Sequence, residues 1–189
     1  LMNFKTSDIR PDEAEKKYIE LYEAELKNFL DEETGLLKKE FALEINCPVC
    51  DGKNYKELFL KKGFTFVKCS GCSMIYINPR PKSEILKKYY EESEALDFFQ
   101  KNILLSTRKI RNKTIFKPRV KLVKKFLHSG RILDVGCSIG NFLECLKNDG
   151  IWELHGIEPN SFAVNFARKE LGLDVEQKTV EESAFPEKY

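Results

Sequence analysis

The chain has 189 residues, 42% of them hydrophobic and 12% aromatic, an ordinary globular composition with room for one or two domains. Its 32 basic and 30 acidic side chains leave a formal charge of +2, which argues neither for nucleic acid nor against it. No run of eighteen apolar residues is present, and the opening LMNFKTSDIRPDEAEKK lacks the apolar core of a secretion signal, so a cytoplasmic protein without membrane partners is expected. The six cysteines are then expected to be reduced or metal-bound.

In chain order, residues 1–46 form a charged segment. Pro11 suits a first helical turn, and Tyr18, Tyr22, Leu26, Phe29 and Leu30 fall near one face, predicting one amphipathic helix ending near Gly35. Its apolar stripe is expected to dock on the rest of the chain rather than on a partner. Residues 47–81 change character: CPVC, short alternating segments at 55–60 and 64–68 about a Lys61-Lys62-Gly63 turn, CSGC, and then NPRP. A helical connector follows over 82–129, with a helix after Ser83, a helical stretch over 98–116 broken before Pro118, and another over 119–127. Between Phe98 and Leu133 stand eleven Lys or Arg and no Asp or Glu. Such a run suits either a phosphate-binding surface or a solvated helical face.

Residues 130–189 alternate strand and helix: a strand at 131–135, the loop Gly136–Gly140, a helix through Phe142, Leu143 and Leu146, a strand at 153–158, a helix at 161–171 closed by Gly172, and a strand at 173–177. Alternation of this kind predicts parallel strands with right-handed crossovers. Three strands leave the first with an open apolar edge, so the fold is expected to continue past Tyr189, and that edge also allows a homo-oligomer.

Cys47, Cys50, Cys69 and Cys72 make two C-x2-C pairs separated by eighteen residues, the spacing of a zinc ribbon. Two residues between thiolates let a tight turn aim both sulfurs at one ion, and four thiolates leave no open position, so the expected zinc is structural. Gly52 and Gly71 stand where such turns want an unhindered backbone.

The stretch RILDVGCSIGN joins a buried strand, a glycine turn and a helix start. Against the dinucleotide pattern G-x-G-x-x-G from Gly136, Ser138 and Asn141 replace two glycines, which disfavours nicotinamide and flavin cofactors. Glu158, in GIEPN, lies eighteen residues after Gly140, where a carboxylate can accept both hydroxyls of a ribose. DVGCSIGNF resembles motif I of class I S-adenosylmethionine-dependent methyltransferases, with Asp134, Gly136 and Gly140 matching and Ser138 at a position that is often glycine. The resemblance implies an α/β, Rossmann-like parallel sheet, the first half of that fold, preceded by a small β zinc ribbon and helices. It implies cofactor contacts from Asp134, Gly136, Cys137, Ser138, Gly140, Glu158 and Pro159, and adenine contacts near Thr179, Val180 and Glu181. The four cysteines, NPRP and the paired Tyr89 and Tyr90 are similar to zinc-ribbon C-methyltransferases of nucleotide-linked deoxysugars.

The expected function is methyl transfer from S-adenosylmethionine to a small, nucleotide-linked sugar acceptor, with zinc as a second, structural cofactor. Alternatives are an RNA methyltransferase gripping RNA through the ribbon and basic helices, and a non-catalytic zinc-ribbon binding protein. No three-cysteine cluster with the spacing of radical enzymes is present. His128 and His155 are read as structural, Cys137 and Cys145 as packing residues, and no catalytic base is named; the base and acceptor pocket are expected past Tyr189.

Overall fold

The computed structural model of the chain describes residues 5–148 and 151–183; the ends of the expected 1–46 and 130–189 segments, residues 1–4 and 184–189, lie outside them. Two compact units are formed, one from Leu1–Leu21 with Tyr90–Tyr189 and one from Tyr22–Tyr89.

The first helix, α1 (Asp12–Lys27), begins just after Pro11 with Asp12, Glu13 and Glu15 in its first turn, where acidic side chains oppose the helix dipole. It stops well short of Gly35. Beyond Lys27 the chain turns, the Asp31 side chain accepts from the Thr34 N–H (2.9 Å), and Leu30 bridges Leu37 in an antiparallel contact. This local carboxylate-to-backbone bond offers the segment an alternative to helix. Its apolar residues therefore pack across a turn: Phe29 lies edge-on to Phe41 at 5.8 Å between ring centres. The N-terminal residues dock on their own unit, with Tyr18 5.0 Å from Phe99 and the Arg111 guanidinium on the Ile9 carbonyl at 2.6 Å.

In the Tyr22–Tyr89 unit, β1 (Ala42–Leu43) pairs with β5 (Arg80–Pro81), and β2 (Tyr55–Lys61), β3 (Phe64–Cys69) and β4 (Ile75–Ile77) form an antiparallel sheet in the order β2-β3-β4. Lys62 and Gly63 make the β2–β3 turn, both at positive φ. A small core of Cys47, Val67, Cys69 and Tyr76, flanked by Ile45, sits on one face of this sheet. The NPRP stretch is part of the unit: buried Asn78 accepts from the Ile45 N–H (3.0 Å), and Arg80-Pro81 supply β5.

Helix α2 (Ser83–Glu92) leads into a longer helical path: α3 (Glu94–Phe98), a π-wound segment Phe99–Leu105, α4 (Arg108–Arg111), a π-wound segment Asn112–Phe116, and α5 (Lys117–Val123). Ser93 caps α3 by accepting from the Leu96 N–H (3.0 Å). Pro118 does not break the path. It stands in the first turn of α5, where a missing N–H is least costly, and the preceding turn is already wound wide.

The α/β part is a parallel sheet of β6 (Gly130–Val135), β7 (Trp152–Ile157) and β8 (Val175–Glu176) in the order β6-β7-β8, with α6 (Asn141–Lys147) and α7 (Ser161–Leu171) as crossovers. This is the 3-2-1 half of a Rossmann-like sheet, as expected. β6 is an edge strand among the described residues, and Val135 is 54% exposed. The core joins Cys137, Leu143, Val164, Ala167, Leu173 and Val175. Asn160 caps α7 by accepting from the Ala163 N–H (2.9 Å), and Gly172 closes it at φ +58°.

Gly140 welds the loop after β6 to this core. It has φ +78°, and a Cβ there would lie 2.5 Å from Leu173 Cδ1 and 3.3 Å from Ala167 Cβ. Gly140→Ala is expected to lower the unfolding free energy by about 2–4 kcal/mol, combining left-handed strain with core overpacking; denaturant titration measures it.

Candidate functional site

Parallel pairing of β6 with β7 aligns Asp134 with Gly156 and Val135 with Ile157, so the loop after β6 runs beside the end of β7. The Gly136 and Cys137 N–H groups both donate to the Ile157 carbonyl, at 2.9 and 3.1 Å. Three residues of the loop take left-handed backbone: Gly136 at +74°, Ser138 at +51° and Gly140 at +78°. At Gly136 nothing lies within 4 Å of where a Cβ would stand, so that side of the main chain is open to a ligand.

Glu158 follows β7 directly. Its carboxylate is 7% exposed and divided between two main-chain donors: Oε2 accepts from Ser138 N–H and Oε1 from Asn160 N–H, both at 2.9 Å. Each oxygen keeps a lone pair for a further donor. Asp134, at the end of β6, is half-buried. Burial pushes its carboxyl up; Arg119 pulls it back and the Glu158 charge adds to the rise. Pro159 follows Glu158, its carbonyl accepting from Gln177 Nε2 at 3.3 Å.

The Cys137 side chain turns into the core, where Gly156 makes room for it: a Cβ at 156 would lie 2.8 Å from the sulfur. Burial, with Asp134 and Glu158 adding, pushes its thiol up to about 12, in keeping with its place in the core cluster. Burial likewise raises the Cys145 thiol. His155 is held by Asp174 at Nδ1 (2.9 Å) and by Glu153 at Nε2 (3.1 Å) on the strand, a structural arrangement. Thr179 and Val180 stand beyond β8 in a turn in which Glu182 accepts from the Thr179 N–H (2.9 Å); among the described residues neither bonds to the loop. Glu182 therefore serves this turn.

Three residues at this place were not picked out from the sequence. Gln100, in the first π-wound segment and 7% exposed, accepts the Ser138 hydroxyl proton at 2.7 Å. Asn160, 1% exposed, donates to Asp97 Oδ1 (3.1 Å) and the Tyr90 carbonyl (3.4 Å) while capping α7. Asn141 is 4% exposed with Oδ1 lacking a partner in the described structure. A helix-cap rule finds Asn160 from N-S-F-A, whereas nothing in the local sequence pairs Gln100 with a residue 38 positions away.

In the other unit the four cysteines come together with every sulfur within 4.8 Å of the others. Cys47 and Cys72 sulfurs are 3.5 Å apart and those of Cys50 and Cys69 3.6 Å, too long for disulfides and close to the roughly 3.8 Å edge of a tetrahedron with 2.3 Å zinc–sulfur bonds. The set is compatible with zinc. The first cysteine of each pair is a buried residue and the second an exposed one. The left-handed turn residues are Asp51 and Ser73, not the glycines; Gly52 serves by leaving room beside Cys50 Sγ, 3.3 Å from its would-be Cβ. The Cys72 and Gly71 main-chain donors pull the Cys69 thiol down to about 6. At Cys50 the Gly52 N–H favours the thiolate, but the three facing sulfurs outweigh it and push the thiol up to about 12. Four thiolates this close repel unless a cation lies between them.

The basic stretch is partly consumed inside its own unit. Arg108 pairs with Glu144 and lies over Phe166, Arg111 is buried on the Ile9 carbonyl, Lys101 meets Asp97 at 3.2 Å, and Arg119 stacks 5.5 Å from Phe116. Among the described residues no helix is long and apolar enough to cross a membrane.

No family model and no curated protein matches the chain. Among solved structures, it is similar to the plantazolicin methyltransferase BpumL in complex with a monoazolic desmethylPZN analog and SAH, at 20% identity and TM-score 0.38 over 53% of this chain and 41% of that one. The same enzyme with SAH alone gives 19% identity and TM-score 0.37 over 52% and 40%. The chain thus spans about two fifths of the length of these structures.

Metal analysis of protein purified without chelator is expected to return one zinc per chain. Cys69→Ser should abolish it and lower the melting temperature of the ribbon, followed by the near-ultraviolet signal of Tyr55 and Tyr76, which meet edge-on at 6.4 Å.

Proposed function

We propose that the chain carries the cofactor half of an S-adenosylmethionine-dependent methyltransferase, with a structural zinc held by Cys47, Cys50, Cys69 and Cys72. The observation that carries this reading is the Glu158 carboxylate, buried at the end of β7 and hydrogen-bonded to Ser138 of the glycine loop (2.9 Å). Spare lone pairs on a fixed carboxylate suit the vicinal hydroxyls of a ribose, while the open main chain at Gly136 suits the close approach of an elongated ligand. Asp134 supplies negative charge for the cationic end of that ligand, and the loop from Gly136 through Cys137 and Ser138 to Gly140 its cradle. Pro159, Thr179 and Val180 complete the assignment, the last two on the adenine side. Asn141 Oδ1, buried without a partner, is a polar group that a bound ligand would satisfy.

Bound there, the cofactor supplies an activated methyl group on a sulfonium. The residues named bind and orient; none of them is assigned the acceptor's proton. The acceptor we assign is a small molecule of the nucleotide-linked sugar class. Use of Arg108, Arg111, Lys101 and Arg119 in internal contacts weakens the RNA alternative, because less of the charged stretch remains for phosphates.

Calorimetry with S-adenosylhomocysteine tests the reading. Glu158→Gln is expected to weaken binding by roughly tenfold or more, as the loss of a charged hydrogen-bond acceptor does; unchanged affinity would remove the main support. A pH series tests Asp134. Its folded pKa lies above the ordinary ~3.9, so ionising it opposes folding as pH rises through that window. A ligand ammonium beside it favours the ionised form, so affinity should fall as pH is lowered through the raised pKa, and Asp134→Asn should flatten that limb.

A further inference from the structure

We propose that Gln100 is a cofactor-binding residue that reads the amino-acid end of S-adenosylmethionine, its Nε2 donating to the α-carboxylate. The inference rests on the methyltransferase reading and adds a contact from outside the glycine loop.

Three observations converge on Gln100. Its side chain is more than nine-tenths buried, at 7% exposure. The Ser138 hydroxyl donates to its Oε1 at 2.7 Å, which holds the carboxamide against the loop. Among the described residues Nε2 then has no hydrogen-bond partner, so two N–H donors stand beside the loop unpaired. Nε2 is not sealed off from solvent, so a ligand lying in the loop can reach it and take these donors.

The backbone around Gln100 is built to aim it. Phe99–Leu105 is π-wound, a geometry that displaces side chains from the ordinary helical rows and recurs at functional sites. Three residues earlier Asp97 takes the Asn160 amide at 3.1 Å, so one helical ridge touches both residues whose N–H groups hold Glu158. The ridge is thereby registered against the loop, while the Ser138 N–H that holds Glu158 does not depend on the Gln100 side chain.

The donor's chemistry selects the ligand group. Glu158 answers the ribose hydroxyls and Asp134 the ammonium, both as acceptors. The cofactor's one anionic group is its carboxylate, and it calls for donors. Ser138 gains a reason by the same argument: glycine would suit φ +51° without strain, but it has no hydroxyl to hold the carboxamide.

Two ligands separate this role from loop support. S-adenosylhomocysteine carries the amino-acid end; 5′-methylthioadenosine keeps the nucleoside and sulfur and lacks it. With the zinc-loaded chain, Gln100→Ala is expected to weaken S-adenosylhomocysteine roughly tenfold and to leave methylthioadenosine unchanged. Gln100→Glu retains an acceptor for Ser138 and so preserves the loop, but it sets a negative charge against the carboxylate; it should weaken S-adenosylhomocysteine more than alanine does, again sparing methylthioadenosine. Equal loss for both ligands, or no loss for either, overturns the assignment of Gln100 alone. A wild-type chain that binds neither ligand overturns the underlying methyltransferase reading.

Discussion

The Glu158 carboxylate is the constraint on which the α/β part depends. A buried acid with two oxygens imposes two demands, and both are met by main-chain N–H groups, from Ser138 in the loop after β6 and from Asn160 at the start of α7. A carboxylate accepting such charge-assisted bonds is far cheaper to bury than one without partners. The consequence is mechanical: the turn that leaves the first strand and the turn that leaves the second are tied to one side chain. Asn160 extends the tie, since its own amide caps α7 and reaches Asp97. Loop, helix start and connector are thus fixed by a chain of polar contacts around one charge.

The ribbon solves a different problem with a different force. Its core is only Cys47, Val67, Cys69 and Tyr76, with β2 exposed along its whole length, far too little apolar burial to hold three short strands. Two of those four residues belong to the four-cysteine cluster, so the candidate metal site and the core share side chains. Asn78 adds a polar seam by fixing the chain just before the first cysteine pair to the strand end after β4. NPRP thus belongs to the ribbon's closure, and not only to its exit.

What was legible in the sequence was whatever has a short period or a fixed spacing. The cysteine pairs, the β-α alternation, Gly172 as a helix end and the Glu158 position all follow from local rules, and each is where those rules put it. The misread elements are those decided by a competing local bond or by a partner far along the chain. Phe29 and Leu30 continue the apolar stripe of α1, yet Asp31 diverts the backbone into a turn with Thr34. Pro118 reads as a break, yet the wide turn before it carries the helix through. A basic stretch reads as a surface, yet Arg111 is drawn inside by the Ile9 carbonyl 102 residues away.

Ser138 joins these two kinds of information. Read alone it is a departure from a glycine pattern, and the backbone penalty of a left-handed serine is on the order of 1 kcal/mol. In the structure its N–H serves Glu158 and its hydroxyl serves Gln100, so one residue links the second strand to the helical connector. Glycine could make the first of these bonds and not the second. The strain at φ +51° is therefore offset by a contact that only a side chain provides, and the cost is met at the point where the loop has to know where the helix is. A loop built from glycines alone would owe its shape to its own turn; this one owes part of its shape to a helix 38 residues upstream, which couples any ligand in the loop to the packing of that helix.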